Sequence, residues 1–455
     1  MTVSKELLVV PARMLSNPPV HYLGNKAVNP KNGSWNMRDI KFTKGTKLGH
    51  WAFLIINDKE AKYPLERGPA FDNTMRLFQQ MLKNVGVEAN PVAGGLVLPV
   101  DKTSPESEID KTIRNFMTSK ERAPPELLLV VLPDKDTKIY NRVKMQCDVV
   151  HGLLNVCVVA GKFHKEFNEQ YFANVALKFN LKLGGNNQAV DKKKMGLIGE
   201  GQTMLVGIDV THPSPGSASN APSVASIVAS IDSSLGQWPA ELRIQEVRTE
   251  MVADLQAMMK SRLLIWRDRN RGILPKNIIV YRDGVSEGQY NLVLEHELPA
   301  LQAACRELYQ ANAMPKFAII IVGKRHNTRF YPTSRATADG NANCRNGTVV
   351  DRGVTEARQW HFFLQAHAAL KGTARPAHYV VIFDQVFRSQ AKIGAAADRR
   401  PAYENPVNHA DVLEEMTHHL CYLFGRATKA VSIVPPAYYA DLVCERARCY
   451  LSRFF

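Results

Sequence analysis

Short, wholly apolar runs separated by amphipathic stretches recur along most of this chain, and they restrict its fold more than any other feature. From Trp51 onward there follow "WAFLII", a helical pattern over 71–83, a short run near Leu96, a helical pattern over 108–117, "LLLVVL", a helical pattern over 140–150, "NVCVVA" and a helical pattern over 170–181. Apolar runs of this length without alternation read as strands buried on both faces. Such strands interleaved with helices imply parallel pairing in a Rossmann-like layer.

The glycines and lysines of "KLGGNNQAVDKKKMGLIGEGQ" mark a boundary, after which a second α/β unit begins at "TMLVGIDV". It continues through "SVASIVASI", a third strand in "ELRIQEVR", a helix over 250–269 and the strand "NIIVY". A helix over 287–309, the strands "FAIIIV" and "HYVVIF", a helix over 410–424, a strand "VSIVP" and a last helix from Ala437 complete it. Three meandering strands, a helix, then a strand carrying an acid is the order of a ribonuclease-H-like sheet. Residues 1–48, rich in Pro, Asn, Lys and Gly, read as a connecting segment, and the Ala/Pro-rich stretch 391–409 reads as a surface insertion. The organisation expected is a linker over 1–48, a Rossmann-like domain over 49–190 and a ribonuclease-H-like domain over 191–455.

The 455 residues carry 58 Lys and Arg against 43 Asp and Glu, a formal charge of +15. An excess of that size favours a polyanionic partner, nucleic acid before membrane, because neutralising phosphates releases counterions. The seven cysteines show neither a CxxC pair nor zinc spacing, and read as reduced thiols of an intracellular protein. No segment approaches a membrane span, and the apolar run near the N-terminus is too short for a signal peptide. A soluble, cytoplasmic protein with a nuclear pool is expected.

Two acids stand at strand exits. Asp209 ends "MLVGID" before "VTHP", where Pro213 stops further pairing, and Asp283 ends "NIIVYRD". In a sheet of this order the first and fourth strands adjoin, so these carboxylates stand side by side. Neighbouring carboxylates raise one another's pKa unless a divalent cation keeps both ionised, and all-oxygen ligands suit Mg2+ or Mn2+. Either aspartate alone is as well explained as a turn or helix cap; the pairing favours a metal. Arg282, backbone N–H groups or a cation can each offset the charge at Asp283. Asp441 on the last helix and Glu250 at the start of the long helix are further candidates, with Glu241 and Glu246 as rivals. Taken alone, Asp441 reads as a solvated helix acid.

Two basic pairs have helical spacing. Tyr140 and Lys144, and Lys178 and Lys182, each stand four apart and share a helix face. They fit either solvated surfaces or a phosphate site.

Five motifs in order, "GIDVTHP", "YRDGVSEGQ", "GKRHNTRFYP", "GTARPAHYVVIFD" and "VSIVPPAYYADLVCERAR", closely resemble the PIWI domain of eukaryotic Argonautes. Upstream, "GSWNMRDIKF" resembles the linker before that family's MID domain, and "LKFNLKLGGNN" the end of the MID domain. The insertion at 391–409 leans toward a filamentous-fungal, quelling-type member. The resemblance implies an RNA-guided endoribonuclease in which Asp209, Glu250, Asp283 and Asp441 form the catalytic tetrad. Asp209, Asp283 and Asp441 are its implied ligands for two Mg2+ or Mn2+ ions. Asp441 stands where the family often has His. The products implied carry 3′-hydroxyl and 5′-phosphate ends.

The resemblance further implies a guide 5′-phosphate pocket of Tyr140, Lys144, Cys157, Lys178, Lys182 and Arg446. Contacts to the guide backbone fall to Lys324, Arg325, Arg426, Ser432 and Tyr438. Val156 stands where many animal members carry Gln, and the loop "PDKDTKI" departs from its usual counterpart. The implied partners are a small guide RNA, a complementary target RNA and tryptophan-rich silencing proteins. A guide-binding module without cleavage is the alternative. No region resembles the family's N-terminal or PAZ domains, and the linker-like start suggests a lobe of a longer protein.

Overall fold

The computed structural model describes residues 4–60, 64–120, 123–164, 168–388 and 408–452. The parallel layer forms from β1 (Trp51–Asp58), β2 (Gly95–Val100), β3 (Leu127–Leu132) and β4 (Leu154–Val159), in the order β2-β1-β3-β4. Helices α1 (Pro69–Asn84), α2 (Glu106–Thr118), α3 (Thr137–Lys144) and α4 (Glu169–Lys182) cover its faces. Alternation within the apolar runs decides which helix each side chain meets. Phe53, Ile55, Leu127 and Leu129 join Phe71, Phe78, Phe172 and Phe179 in one core, whereas Leu54, Ile56, Leu128 and Val130 join Ile109, Ile113 and Ile139 in another. Each such side chain stabilises the layer by roughly 1.5–3 kcal/mol when fully buried.

Local signals fix the helix starts beside the later site. The Asp136 carboxylate accepts from Ile139 N at 2.9 Å to cap α3, and the Asn168 amide oxygen accepts from Tyr171 N at 2.9 Å to cap α4. A cap of this kind is worth about 1 kcal/mol. Instead of one regular helix over 140–150, the chain widens into a π turn over Met145–Val150.

The second unit is a nine-stranded sheet. Strands β5 (Thr203–Thr211), β6 (Ser223–Ala229) and β7 (Ala240–Gln245) meander antiparallel, and α5 (Leu255–Arg269) leads to β8 (Asn277–Asp283), which pairs parallel with β5. After α6 (Leu298–Arg306), β9 (Lys316–Gly323) pairs parallel with β8. The sheet extends antiparallel through β12 (Ala377–Asp384), β11 (Trp360–Gln365) and β10 (Thr348–Val350) to the short strand Arg13–Met14. Arg13 holds that edge by ion pairs with Asp351, Asp411 and Glu414. Helices α7 (His409–Leu420) and α8 (Pro435–Tyr450) pack on one face. That face shares a continuous core with the parallel layer, while α5 and α6 close the other face.

Several sequence expectations change. The helix expected from residue 250 begins at Leu255, after a bend at 251 and a turn over 253–254, so Glu250 lies in a loop. The helix expected over 287–309 is broken into short turns, with a π turn over Val293–Glu297 ahead of α6. Pro299 near the start of α6 has no N–H to donate back. "VSIVP" forms no strand; Val431 makes a single backbone bond to Cys421 O at 2.9 Å and the chain turns into α8. Strands β10, β11 and Arg13–Met14 went unforeseen because they are short or mix polar with apolar residues. All but the last two residues of the 391–409 insertion lie outside the described residues. All seven cysteines are free thiols. No helix among the described residues is long and apolar enough to cross a membrane.

Candidate active site and phosphate pocket

In the parallel pairing of β5 with β8, Ile208 lies opposite Arg282, which sets Asp209 beside Asp283 at the shared strand end. Both point to the same face as Gly207 and Tyr281, two residues earlier on each strand. Helix α8 crosses that face so closely that a Cβ at Gly207 would stand 2.0 Å from Pro436 O. One turn on, Ser226 Oγ donates to Ala440 O at 2.9 Å, and Cys444 Sγ donates to Asp209 O at 3.6 Å. These contacts lower Asp441 toward the two strand-end acids.

The carboxylates feel one another. Burial first, then Asp441, raises the pKa of Asp209 against the pull of Arg282. Asp283 rises through burial, then Asp209 and Asp441. Burial also raises Asp441, and Arg325 and Arg448 oppose it.

Glu250 joins them from its loop. His212 Nε2 lies 2.8 Å from Glu250 Oε2, while His212 Nδ1 lies 2.9 Å from Ser223 Oγ. Arg282, wholly buried, donates to Glu250 O at 2.7 Å and approaches Glu250 Oε1 at 3.1 Å. Its other bonds reach Asp283 O at 2.6 Å and the buried Glu297 carboxylate at 3.0 Å. Arg282 is therefore an internal strut for Glu250 and Glu297; at Asp283 it reaches only the carbonyl, and the carboxylate there is left weakly offset. Gly284 follows with φ +83°, and a Cβ there would stand 3.6 Å from Asp209 Oδ1 and 3.9 Å from Glu250 Oε1. Both oxygens thus face the same small space. Of the rivals, Glu241 is engaged elsewhere, with Arg243, Ser261 and Arg262, and Glu246 is exposed.

As placed, no three His, Cys, Asp or Glu side chains among the described residues form a ready-made metal group. The residues nevertheless fit a divalent cation. The donors are carboxylate oxygens, the strand-end acids resist ionising together, and Glu250 Oε1 is buried without a hydrogen-bond donor. The Arg282 contact to Oε1 is close but lacks hydrogen-bond alignment, so the orphaned oxygen and the ion pair are compatible. A cation drawing in Asp209, Asp283 and Asp441 relieves both strains.

A second cavity, of about 420 Å3, opens between the parallel layer and the nine-stranded sheet. Tyr140, Lys144, Cys157, Lys178, Lys182 and Arg446 all line it, and Arg426 does so too. The helical pairs on α3 and α4 thus face one cavity rather than solvent. Burial, then Arg426, lowers the pKa of Lys178; burial, then Lys144, brings Lys182 down to about 8. Such crowding of cations is costly without an anion. Val156 lines the cavity with an apolar side chain, and the neighbouring Asn155 accepts from Lys144.

The remaining candidates are more scattered. Lys324 donates to Ser432 Oγ at 2.5 Å, and Arg325 lies within electrostatic reach of Asp441. Tyr438 stacks on Phe424 with ring centroids 4.6 Å apart, which gives it a packing role. Sequence reasoning missed His212, Asn155 and Glu297, together with Asp148, which accepts from Arg446 at 2.6 Å, and Trp238, which lines the cavity. His212 stood in plain view three residues after Asp209; the others carried no local signal.

A parallel Rossmann-like layer joined to a ribonuclease-H-like sheet, with an acid cluster on one and a cationic cavity between them, defines the class. Family comparison matches residues 127–452 to the Piwi domain and residues 29–94 to the Mid domain of argonaute. The chain belongs to the Argonaute family. It is 35% identical to Protein argonaute 5 and 34% identical to Protein argonaute 10, both of Arabidopsis thaliana, over 99% of its own length and 44% and 45% of theirs. It therefore spans about half the length of these curated relatives. Among solved structures, Kluyveromyces polysporus Argonaute with a guide RNA superposes with TM-score 0.83 at 29% identity, over 98% of this chain and 54% of that one. The MID-PIWI domains of N. crassa QDE-2 superpose with TM-score 0.65 at 31% identity, over 91% of this chain and 90% of that one.

Proposed function

We propose that this chain is the guide-end-binding and cleaving lobe of a small-RNA-guided silencing protein. It holds the 5′-phosphate of a guide RNA and cuts a complementary RNA. The observation that supports the cleavage reading is Asp209 beside Asp283 at one strand end, with Asp441 within electrostatic reach of both and Glu250 Oε1 turned to the same space as Asp209 Oδ1. Asp209, Asp283 and Asp441 would hold Mg2+ or Mn2+, with Glu250 completing the set. Bound there, such ions supply Lewis acidity for phosphodiester hydrolysis to 3′-hydroxyl and 5′-phosphate ends. The chain's own part is positioning: His212 and Arg282 hold the Glu250 carboxylate inward, and α8 holds Asp441 over the strand ends.

The cationic cavity supports the guide-end reading, since several partly desolvated amines and a guanidinium converge on a space that suits a phosphate. Pairing with the guide then supplies sequence specificity, as in other nucleic-acid-guided systems. The boundaries we assign are 1–48 for the linker, 49–190 for the guide-end-binding domain and 191–455 for the nuclease-like domain. A quelling-type role is the finer reading, supported by the likeness to QDE-2. The competing reading is a binding-only silencing module, favoured by the absence of a ready-made metal group among the described residues. The test is to load a 5′-phosphorylated guide in Mg2+ and assay a complementary RNA. A cut opposite the guide's centre, abolished in Asp283→Ala with guide binding retained, supports cleavage; guide binding without any cut refutes it.

A further inference from the structure

Behind the cations of the phosphate pocket lies one acid, Asp148, on the π turn that follows α3. Its side chain is 17% exposed, and two of its partners, Arg446 and Asn155, line the pocket. Arg446 Nη1 donates to Asp148 Oδ2 at 2.6 Å, and Tyr450 Oη, one turn further along α8, donates to the same oxygen at 2.9 Å. Asn155 Nδ2 donates to the other oxygen, Oδ1, at 2.7 Å. Asn155 is itself fully buried, donates also to Leu153 O at 3.0 Å, and accepts from Lys144 Nζ. The Lys144 ammonium lies 5.4 Å from the centre of the Tyr140 ring, and Arg446 Nη2 donates to Tyr140 Oη at 3.4 Å. These contacts close a ring: Tyr140, Lys144, Asn155, Asp148, Arg446 and back to Tyr140.

The ring joins two elements that have no covalent reason to agree. Tyr140 and Lys144 belong to α3, Arg446 and Tyr450 to the last helix of the other unit. Two cations that approach one anion without support repel one another and sample open arrangements. Asp148 offsets that repulsion before any ligand arrives, and its bonds aim Arg446 while Asn155 aims Lys144. Ordering the donors in advance leaves more of the interaction energy for binding.

Resting on the guide-end reading above, we propose that Asp148, acting with Asn155, is the positioning residue for recognition of a terminal phosphate. It fixes Arg446 and Lys144 in one constellation so that a 5′-phosphate is preferred over a 5′-hydroxyl. Its charge has a second consequence at Lys182. Burial, Lys144 and Arg446 lower the Lys182 pKa, while Asp148 and Cys157 raise it, leaving it at about 8. Lys178 and Arg426 line the same cavity and add positive charge. Without Asp148 the Lys182 ammonium gives up its proton at lower pH, and phosphate binding fails earlier on the alkaline side.

The experiment measures binding of a fluorescent oligoribonucleotide, with either a 5′-phosphate or a 5′-hydroxyl, to the 455-residue chain. It compares wild type, Asp148→Asn and Tyr450→Phe from about pH 7 to about pH 9, the range that brackets the Lys182 titration. Asp148→Asn is expected to reduce the preference for phosphate by about tenfold or more, the worth of a charge-assisted hydrogen bond. It is also expected to move the alkaline fall in phosphate binding to lower pH. Tyr450→Phe, which keeps the acid and all of Arg446, is expected to move the preference the same way by less. An unchanged preference and pH profile in Asp148→Asn overturns the inference, as does equal loss for both RNAs, which marks mere structural damage. A wild type that does not favour the phosphate overturns the guide-end reading itself, and this inference with it.

Discussion

Gly207→Ala tests how α8 is seated, and with it both sites at once. The added methyl would lie 2.0 Å from Pro436 O, 2.3 Å from Pro436 C and 3.0 Å from Pro436 Cα. All three are backbone atoms, so no side-chain rotation relieves the clash. Carbon and oxygen settle at about 3.3 Å or more, so the start of α8 must retreat by roughly 1 Å or the strand must bend. Overpacking of this kind costs about 1–3 kcal/mol, and the rigidity of both partners argues for the upper half of that range. Asp441 and Arg446 ride on the helix that moves. A misplacement of about 1 Å can slow a reaction by about a hundredfold. Thermal unfolding, cleavage of complementary RNA and affinity for a 5′-phosphorylated guide should all deteriorate together. Gly288→Ala is the control, since a Cβ there meets nothing within 4 Å. Wild-type melting and wild-type phosphate affinity in Gly207→Ala would refute the described seating of the helix.

Glu297→Ala strips the fully buried Arg282 of its main carboxylate partner and should destabilise the chain by about 3–5 kcal/mol in denaturant titrations, with Glu297→Gln milder. Glu414 titrates in a way that can be read as stability against pH. Burial raises its pKa to about 7 from the ordinary 4.5, with Arg13 opposing and Asp351 and Asp411 adding to the rise. The unfolded chain therefore loses this proton first, and the group's contribution to stability falls as pH rises from about 4.5 to about 7. Glu414→Gln should flatten that part of the profile in melts across the window; an unchanged slope would contradict it. Chelation with EDTA should abolish cleavage while guide binding persists, measured on the same preparation.

Much of this was written plainly in the chain. The apolar runs gave β1, β3, β5, β8 and β9 because burial on both faces leaves little choice of residue. Asp209 and Asp283 were legible as strand-end acids, since the strand order alone makes them neighbours. The seat of Asp441 was not, because it depends on a close approach at Gly207 between segments more than 200 residues apart, and a single glycine carries no such message. Likewise the basic pairs of α3 and α4 could be placed on helix faces, but Asp148 and Asn155 could not be joined to them. The π turn that aims Asp148 has no local signature, and its partner Arg446 arrives from the other unit. Glu250 was read at the start of a helix, whereas it lies in the loop that precedes Leu255, because periodicity does not show where a helix is capped.

The most direct measurement is anomalous scattering from crystals of the guide-bound chain grown with Mn2+. Manganese peaks are expected in contact with the carboxylates of Asp209 and Asp283, with Asp441 turned toward them. Ordered guide and no peak beside these residues would contradict the metal assignment.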